Sequence, residues 1–300
     1  MYKNNRNIET IQKEPISLGV AQSYLPKISL IISSHNESYY QRFIKSVEDS
    51  IGCSYELIKI ENPGKYSLSE AYNTGSRKAK GEYICFVHED VIFLSNEWDV
   101  ECINVFEKEE NVGLIGVAGC AYKSTIPSHL WTDYSFKFGR GRIYQGYKSY
   151  TNGRKLELDP RESKTLLSDV VCVDGVFMFT TKDIAIQCPF DEHLFTGFHC
   201  YDLDFSTQIY LSGRRVVVDR DIYLFHASNG VYDEFFFDYA KAFSKKYICK
   251  LPLCAEKIPK TTFIYIEFNV WFDYIKRKSC NLIKKIGKFF ARFIYNKKIM

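Results

Sequence analysis

The stretch FVHED (86–90) puts an imidazole and two carboxylates where an apolar run stops. Phe86 and Val87 have the character of a buried strand, so His88, Glu89 and Asp90 emerge at its carboxyl end. Such a trio is a metal site, a polar turn, or a reduced copy of a sharper acidic motif. A carboxylate such as Asp90 can hold Mg²⁺ or Mn²⁺, which keep several waters and need only one or two protein ligands besides phosphates. Imidazole is a poor ligand for Mg²⁺ and an acceptable one for Mn²⁺, so His88 shifts the expectation toward Mn²⁺. Glu89 should point away from Asp90, because neighbours alternate along a strand. In FHCYDLDF (198–205), Asp202 and Asp204 precede an apolar helical run. A carboxylate there can cap the helix, and a helix start also holds a carboxylate well for proton transfer. His226 in LFHAS (224–228) is a strand-end histidine whose simplest role is a local hydrogen bond.

The elements that must position these groups are legible from residue 28 onward. ISLIIS (28–33) is an apolar run ending in SHNE, and a helical stretch follows through YYQRFIKSVEDS. YELIKI (55–60) reads as a second strand closed by the turn-rich ENPGK. SLSEAYNTGSRKA (67–79) has helical spacing, with Ser67 or Ser69 as cap, and EYICFV (82–87) is a third strand. Strand, helix, strand, helix, strand in about sixty residues implies βαβ units and a parallel sheet. A helix over NEWDVECINVFEKEENV and a strand or strand pair at 112–120 come next. Tyr122 to about Ser168 shows little periodicity and reads as a long, partly mobile loop region, of a kind that is usually functional or disordered. Strand character returns at 168–183, 214–219 and 222–228. In an open parallel sheet ligands bind beyond the carboxyl ends of the strands, where SHN, ENPG and HED should converge on one crevice.

Composition narrows the class. The 300 residues suit one large α/β domain with an appendage or two modest domains, and 46% hydrophobic content supports a sizeable core. The ten cysteines form no C-x-x-C pair and several sit in apolar runs, which implies reduced thiols and a cytoplasmic protein. The first residues, MYKNNRNIETIQKEP, lack the apolar segment of a secretory signal, and no uncharged apolar run is long enough to span a bilayer. Net charge is only +4, yet after Asp273 nine Lys and Arg occur with no acidic side chain. LIKKIGKFFARFI (282–294) puts its apolar residues at helical spacing, as in a basic amphipathic helix at an anionic membrane surface or a terminal helix packed on the domain with its lysines in water. The aromatic segment 262–275 either packs on the domain or joins that interface. A helix with so thick an apolar face does not suit nucleic acid, which needs a solvated basic groove.

AKGEYICFVHEDV (79–91) resembles the family 2 glycosyltransferases of GT-A fold, with their Lys/Arg-Gly-Glu-Tyr, apolar strand and D-x-D motif. The resemblance runs over roughly residues 28 to 230. ISLIISSHNE resembles the first strand and its nucleotide-contacting loop, which implies donor contacts from Ser33, His35 and Asn36. ELIKIEN resembles the second strand with its base-side acidic pair, here Glu61-Asn62. SEAYNTGSRKAKGEY resembles the next helix and implies that Asn73 and Arg77 face the crevice. FDEHLFTGFHCYDLDF and LFHASNG resemble the family's later motifs, and Asp174-Gly175 its segment beside the donor sugar. Gly175 would let backbone approach a ligand, or mark a strand bulge.

The resemblance implies an α/β GT-A (Rossmann-like) domain at 27–255, with a mostly parallel sheet flanked by helices. It leaves a polar extension at 1–26 and a basic helical tail at 256–300. It implies a divalent cation (Mn²⁺ or Mg²⁺) at Asp90, His88 and His226, Asp202 as catalytic base, and Asp204 as a structural or substrate-contacting neighbour. A nucleotide-sugar donor and a glycan or lipid-linked acceptor follow, with inverting transfer on the inner face of a bacterial membrane in surface polysaccharide synthesis. The departures are specific: His88 stands for the first D-x-D aspartate and Tyr201 for the glutamate of E-D. The absence of Q-x-x-R-W argues against a processive synthase. The altered H-x-D motif leaves one rival, a non-catalytic nucleotide- or carbohydrate-binding partner of another transferase.

Overall fold

The computed structural model describes residues 10–13, 25–128, 137–146, 154–158, 166–228 and 235–276. In chain order come β1 (Thr10–Lys13), β2 (Ile28–Ser34), α1 (Glu37–Ser50), β3 (Tyr55–Glu61), α2 (Leu68–Lys78), β4 (Tyr83–Val87), β5 (Val91–Phe93), α3 (Trp98–Lys108), β6 (Val112–Gly116), β7 (Ala118–Cys120) and β8 (Tyr122–Lys123). Then follow β9 (Gly139–Gln145), β10 (Arg154–Leu158), β11 (Leu167–Val170), β12 (Cys172–Val173), β13 (Phe177–Thr181), α4 (Lys182–Gln187), α5 (Tyr201–Leu211), β14 (Arg215–Asp219), β15 (Leu224–His226), α6 (Phe236–Lys246) and β16 (Leu253–Cys254). A helical segment at 260–276 ends the described chain.

The main sheet has eight strands in the order β1-β3-β2-β4-β13-β6-β14-β11. β3, β2 and β4 are parallel neighbours, as the strand–helix alternation predicts. The α/β class and the mostly parallel sheet are as expected, since β6 and β14 run the same way as these three and the remaining strands run against them. β13 is antiparallel to both β4 and β6, and β1 and β11 are antiparallel at the edges. Parallel neighbours need a long crossover, usually helical. Between β6 and β13 the chain instead passes through strands of a second sheet, ordered β12-β7-β9-β15-β5 with β10 on β9, and returns antiparallel.

That second sheet corrects the loop expected over 122–168. β9 (GRGRIYQ) has no apolar run to announce it, yet it pairs with β7 on one side and β15 on the other. Two further boundaries move. Thr10–Lys13, expected within a polar extension, adds an antiparallel edge strand to β3. The first part of the expected tail packs back on the domain: Ile266 and Val270 are buried, and Tyr122 Oη donates to Glu267 at 2.8 Å. The basic stretch 282–294 lies outside the described residues.

Both faces of the central strands are covered, which is why they read as continuous apolar runs rather than alternating ones. From β4, Cys85 and Val87 join Tyr40, Phe43 and Trp98 of α1 and α3 on one face. Ile84 and Phe86 join Tyr72, Phe190 and Phe205 on the other. Phe86 is edge-on to Phe190 and Phe205 at 5.0 and 5.6 Å, so Phe86→Ala should cost about 3–5 kcal/mol. The nine described cysteines are all free, as their scatter predicts. No described helix is long and apolar enough to cross a membrane.

Candidate functional site

β4 is anchored between β2 and β13, so its carboxyl end is a fixed platform. His88 N–H donates to the Val176 carbonyl at 3.2 Å, extending that anchorage one residue beyond the strand. β15 is antiparallel to β5, with His226 paired to Val91, so the two strands bring His226 beside Asp90. His226 Nε2 lies 3.4 Å from Asp90 Oδ1, and His88 Nδ1 lies 3.4 Å from His226 Nε2. One ligand atom from each of the three residues falls within 4.8 Å of the others. Two donors each about 2.1 Å from a common ion stand about 3.0–3.4 Å apart at the usual coordination angles, so this group fits a divalent cation. Two imidazole nitrogens and one carboxylate favour Mn²⁺ over Mg²⁺, and three protein donors leave room for phosphate oxygens and water.

The electrostatics prepare these donors. Burial by itself would raise the Asp90 carboxyl, but His226, His88 and the Ser228 N–H (2.8 Å) together hold it below its ordinary range. Burial, then the charge of His226, lowers His88, so His88 is neutral at pH 7 and has a lone pair to offer. Burial works against the charge of His226 as well, yet Asp90 raises it overall. His226 Nδ1 lies 3.3 Å from Gln145 Oε1 on β9, a contact that directs Nε2 toward Asp90. His88 Nε2 lies 2.9 Å from Tyr201 Oη, which directs Nδ1 into the group. Partners of this kind fix the ring orientation and tautomer of a ligating histidine.

Tyr201 opens α5, and Cys200 before it takes a left-handed conformation (φ 61°). For a residue with a side chain that backbone costs of order 1 kcal/mol or more, a strain often found at functional sites. It starts the helix that carries Tyr201, whose hydroxyl meets His88, and Asp202. A Cβ at Gly175 would stand 2.0 Å from Tyr201 Oη, so glycine is required there by the tyrosine, neither of the two reasons weighed from sequence. Asp202 does not cap α5. Its carboxylate accepts from Gly175 N (3.1 Å) and Leu203 N (2.9 Å). Burial and the nearby Asp174 push its pKa up to about 7. Asp174 accepts from Val176 N in a tight turn.

Other expected residues have local work. Glu89 does point away from Asp90: it accepts from Ser34 Oγ (2.7 Å), Asn36 N (3.1 Å) and His35 Nδ1 (2.8 Å), fastening the β2–α1 loop to the metal-site turn. Asn36 caps α1 by accepting from Tyr39 N, and His35 is exposed. Ser33 Oγ accepts from Asn62, whose side-chain oxygen also closes the ENPG turn. Gly64 there has φ +83°, the left-handed conformation glycine tolerates. Glu61, at the carboxyl end of β3, pairs with Lys59.

Two residues do not join the group. Asn73 is spent on Phe190, exchanging both amide hydrogen bonds with its backbone. Arg77 stands exposed in the last turn of α2, at the end from which the chain enters β4, and donates to Thr74 of its own helix. Asp204 is buried and bound by Tyr247, Lys246 and Gln208, so of its two expected roles the structure supports the structural one. Sequence reasoning missed Gln145, Tyr201 and Ser228 as partners of the site. Only Tyr201 carried a signal, as an aromatic residue in place of an expected glutamate.

The model of a family described as "Glycosyltransferase like family" matches residues 29–247, which confirms the motif-based resemblance. No curated protein matches the sequence. Among solved structures, the chain is similar to GalNAc-T7 with UDP, GalNAc and Mn²⁺, at 12% identity and TM-score 0.48, over 69% of this chain and 45% of that one. It therefore spans less than half of that protein's chain. It is also similar to the mannosyltransferase PcManGT from Pyrobaculum calidifontis in complex with GDP-Man and Mn²⁺, at 13% identity and TM-score 0.45, over 86% of this chain and 73% of that one.

Proposed function

The chain belongs to the glycosyltransferase-like family, and from that premise we propose that it transfers one sugar from a nucleotide-sugar donor to a hydroxyl of a glycan or lipid-linked acceptor. We place this transfer, non-processive and inverting, at the inner face of a bacterial membrane in surface polysaccharide synthesis. The observation that carries the reading is the His88–Asp90–His226 group, with Tyr201, the residue before Asp202 in α5, hydrogen-bonded to His88.

His88, Asp90 and His226 are the residues that would hold a divalent cation, whose role when bound is to neutralise the diphosphate leaving group. Asp90, held below its ordinary range, is ionised at neutral pH, and Gln145 and Tyr201 keep both imidazoles aimed at one point. Asp202 accepts the proton of the acceptor hydroxyl as its oxygen attacks the anomeric carbon. With a pKa of about 7 it is both substantially ionised and substantially basic at neutral pH, as a general base should be. Its two oxygens are held by Gly175 and Leu203 backbone N–H groups, which fix its aim. Asp204 is committed to Tyr247, Lys246 and Gln208, which leaves Asp202 as the base of the pair, and the inverting outcome rests on the family resemblance.

The test is sugar release and transfer from UDP-, GDP- and dTDP-sugars by the wild type and by Asp202→Asn. Transfer by the wild type, lost in the variant while nucleotide binding persists, is the expected result. Equal turnover in both would remove Asp202 from the mechanism, and no turnover with any donor would favour the non-catalytic partner.

A further inference from the structure

The helical segment 260–276 presents an outward face with no charge on it. Every exposed position between 262 and 275 is apolar or aromatic: Ile264, Tyr265, Phe268, Trp271, Phe272 and Ile275, 40 to 69% exposed. Their spacing of three and four places them on one stripe. The opposite face is occupied, with Ile266 and Val270 buried and Glu267 bonded to Tyr122. The polar residues Asn269 and Asp273 are half-buried at its sides. Exposed cations flank the stripe, Lys257 and Lys260 at one end and Lys276 at the other. Residues 277–300 then add eight Lys and Arg with no Asp or Glu.

An aromatic stripe of this size in water is costly unless something covers it. We propose that its occupant is an anionic lipid surface, with the helix lying in the plane of the headgroups. Seventeen residues span about 25 Å, too little to cross a bilayer with Glu267 and Asp273 on board but ample for an in-plane anchor. Tyr and Trp suit the headgroup level, and lysines at both ends reach phosphates while their stems follow the apolar face. The cationic sequence that follows supplies complementary charge for the same surface. This inference rests on the membrane-side reading above for its purpose, but not on the chemistry of transfer.

The test uses the full chain with phosphatidylcholine vesicles, with and without phosphatidylglycerol. The expected result is co-sedimentation with the anionic vesicles, weakened at least about tenfold by Phe268→Ser with Phe272→Ser. Brominated lipid should quench part of the tryptophan emission in the wild type, and that part should vanish in Trp271→Phe. Vesicle binding that survives the double substitution, with unchanged quenching in Trp271→Phe, would overturn the stripe and leave the membrane to residues 277–300. Two other occupants would also overturn it. A dimer in lipid-free solution that the double substitution dissolves would mean a second copy. Trp271 emission already blue-shifted without lipid and unmoved by it would mean cover from the chain itself. Nucleotide binding measured on the same variants keeps this outcome separate from the transferase reading.

Discussion

Asp90 and Asp202 are both carboxylates removed from water, one on each side of the His88–Tyr201 contact, yet the protein drives them in opposite directions. Burial penalises the charged form of each. At Asp90 that penalty is overcome by two imidazoles and the Ser228 N–H, and the carboxyl is held below its usual range. At Asp202 the neighbour is another carboxylate, Asp174, and backbone N–H groups only partly offset it, so the pKa rises to about 7. One buried and one half-buried aspartate thus take two jobs, a charged ligand and a titrating base. Pairs driven apart in this way mark acid–base assignments in enzyme sites.

The contrast breaks most completely at Asp202. Asp202→Asn should lower the transfer rate by about a hundred- to ten-thousand-fold with little change in nucleotide affinity, read from initial rates and from calorimetry. Next in size is the hinge between the regions. Tyr201→Phe removes the hydrogen bond to His88 and should weaken Mn²⁺ binding by about ten- to a hundredfold, measured on the protein without donor. If Tyr201 only fills space, Mn²⁺ affinity will not move.

A smaller effect sharpens the comparison. The base works ionised, so the transfer rate of the wild type should rise with pH through about 7. Asp174→Asn removes the like charge and should move that limb to lower pH by a fraction of a unit, visible in a pH–rate profile. The smallest effect is on stability. A carboxyl whose pKa is raised in the folded state contributes stability below its unfolded pKa and loses it as pH rises through the folded value. Asp202→Asn should therefore be more stable than the wild type at pH 8, by on the order of 1 kcal/mol in urea melts, with the advantage gone at pH 4.

Much of this site was readable in the sequence because its first half is built from local signals. Strands β2, β3 and β4 are covered on both faces and appear as apolar runs, and Ser67 caps α2 by accepting from Glu70 N at 3.0 Å. His88, Asp90 and His226 each end an apolar strand, so their type and place were visible. What was hidden depends on pairing across the chain. Gln145 lies on β9, whose glycines and arginines give no strand pattern, and it meets His226 only because β9 runs beside β15. Tyr201 read as a departure from the family pattern. Its partner His88 is another departure, 113 residues away, and the two make sense only as a contact. For Asn73 and Arg77, helix position says which motif they belong to and not which partners they meet, here Phe190 and Thr74.

The central claim is that His88, Asp90 and His226 form a cation site for a nucleoside diphosphate. Its most direct test is calorimetric titration of UDP, GDP and dTDP, with and without Mn²⁺, into wild type and Asp90→Ala. One nucleotide should bind only with Mn²⁺, and Asp90→Ala should abolish this binding in a folded protein. Binding that is indifferent to Mn²⁺ and survives Asp90→Ala would contradict the claim.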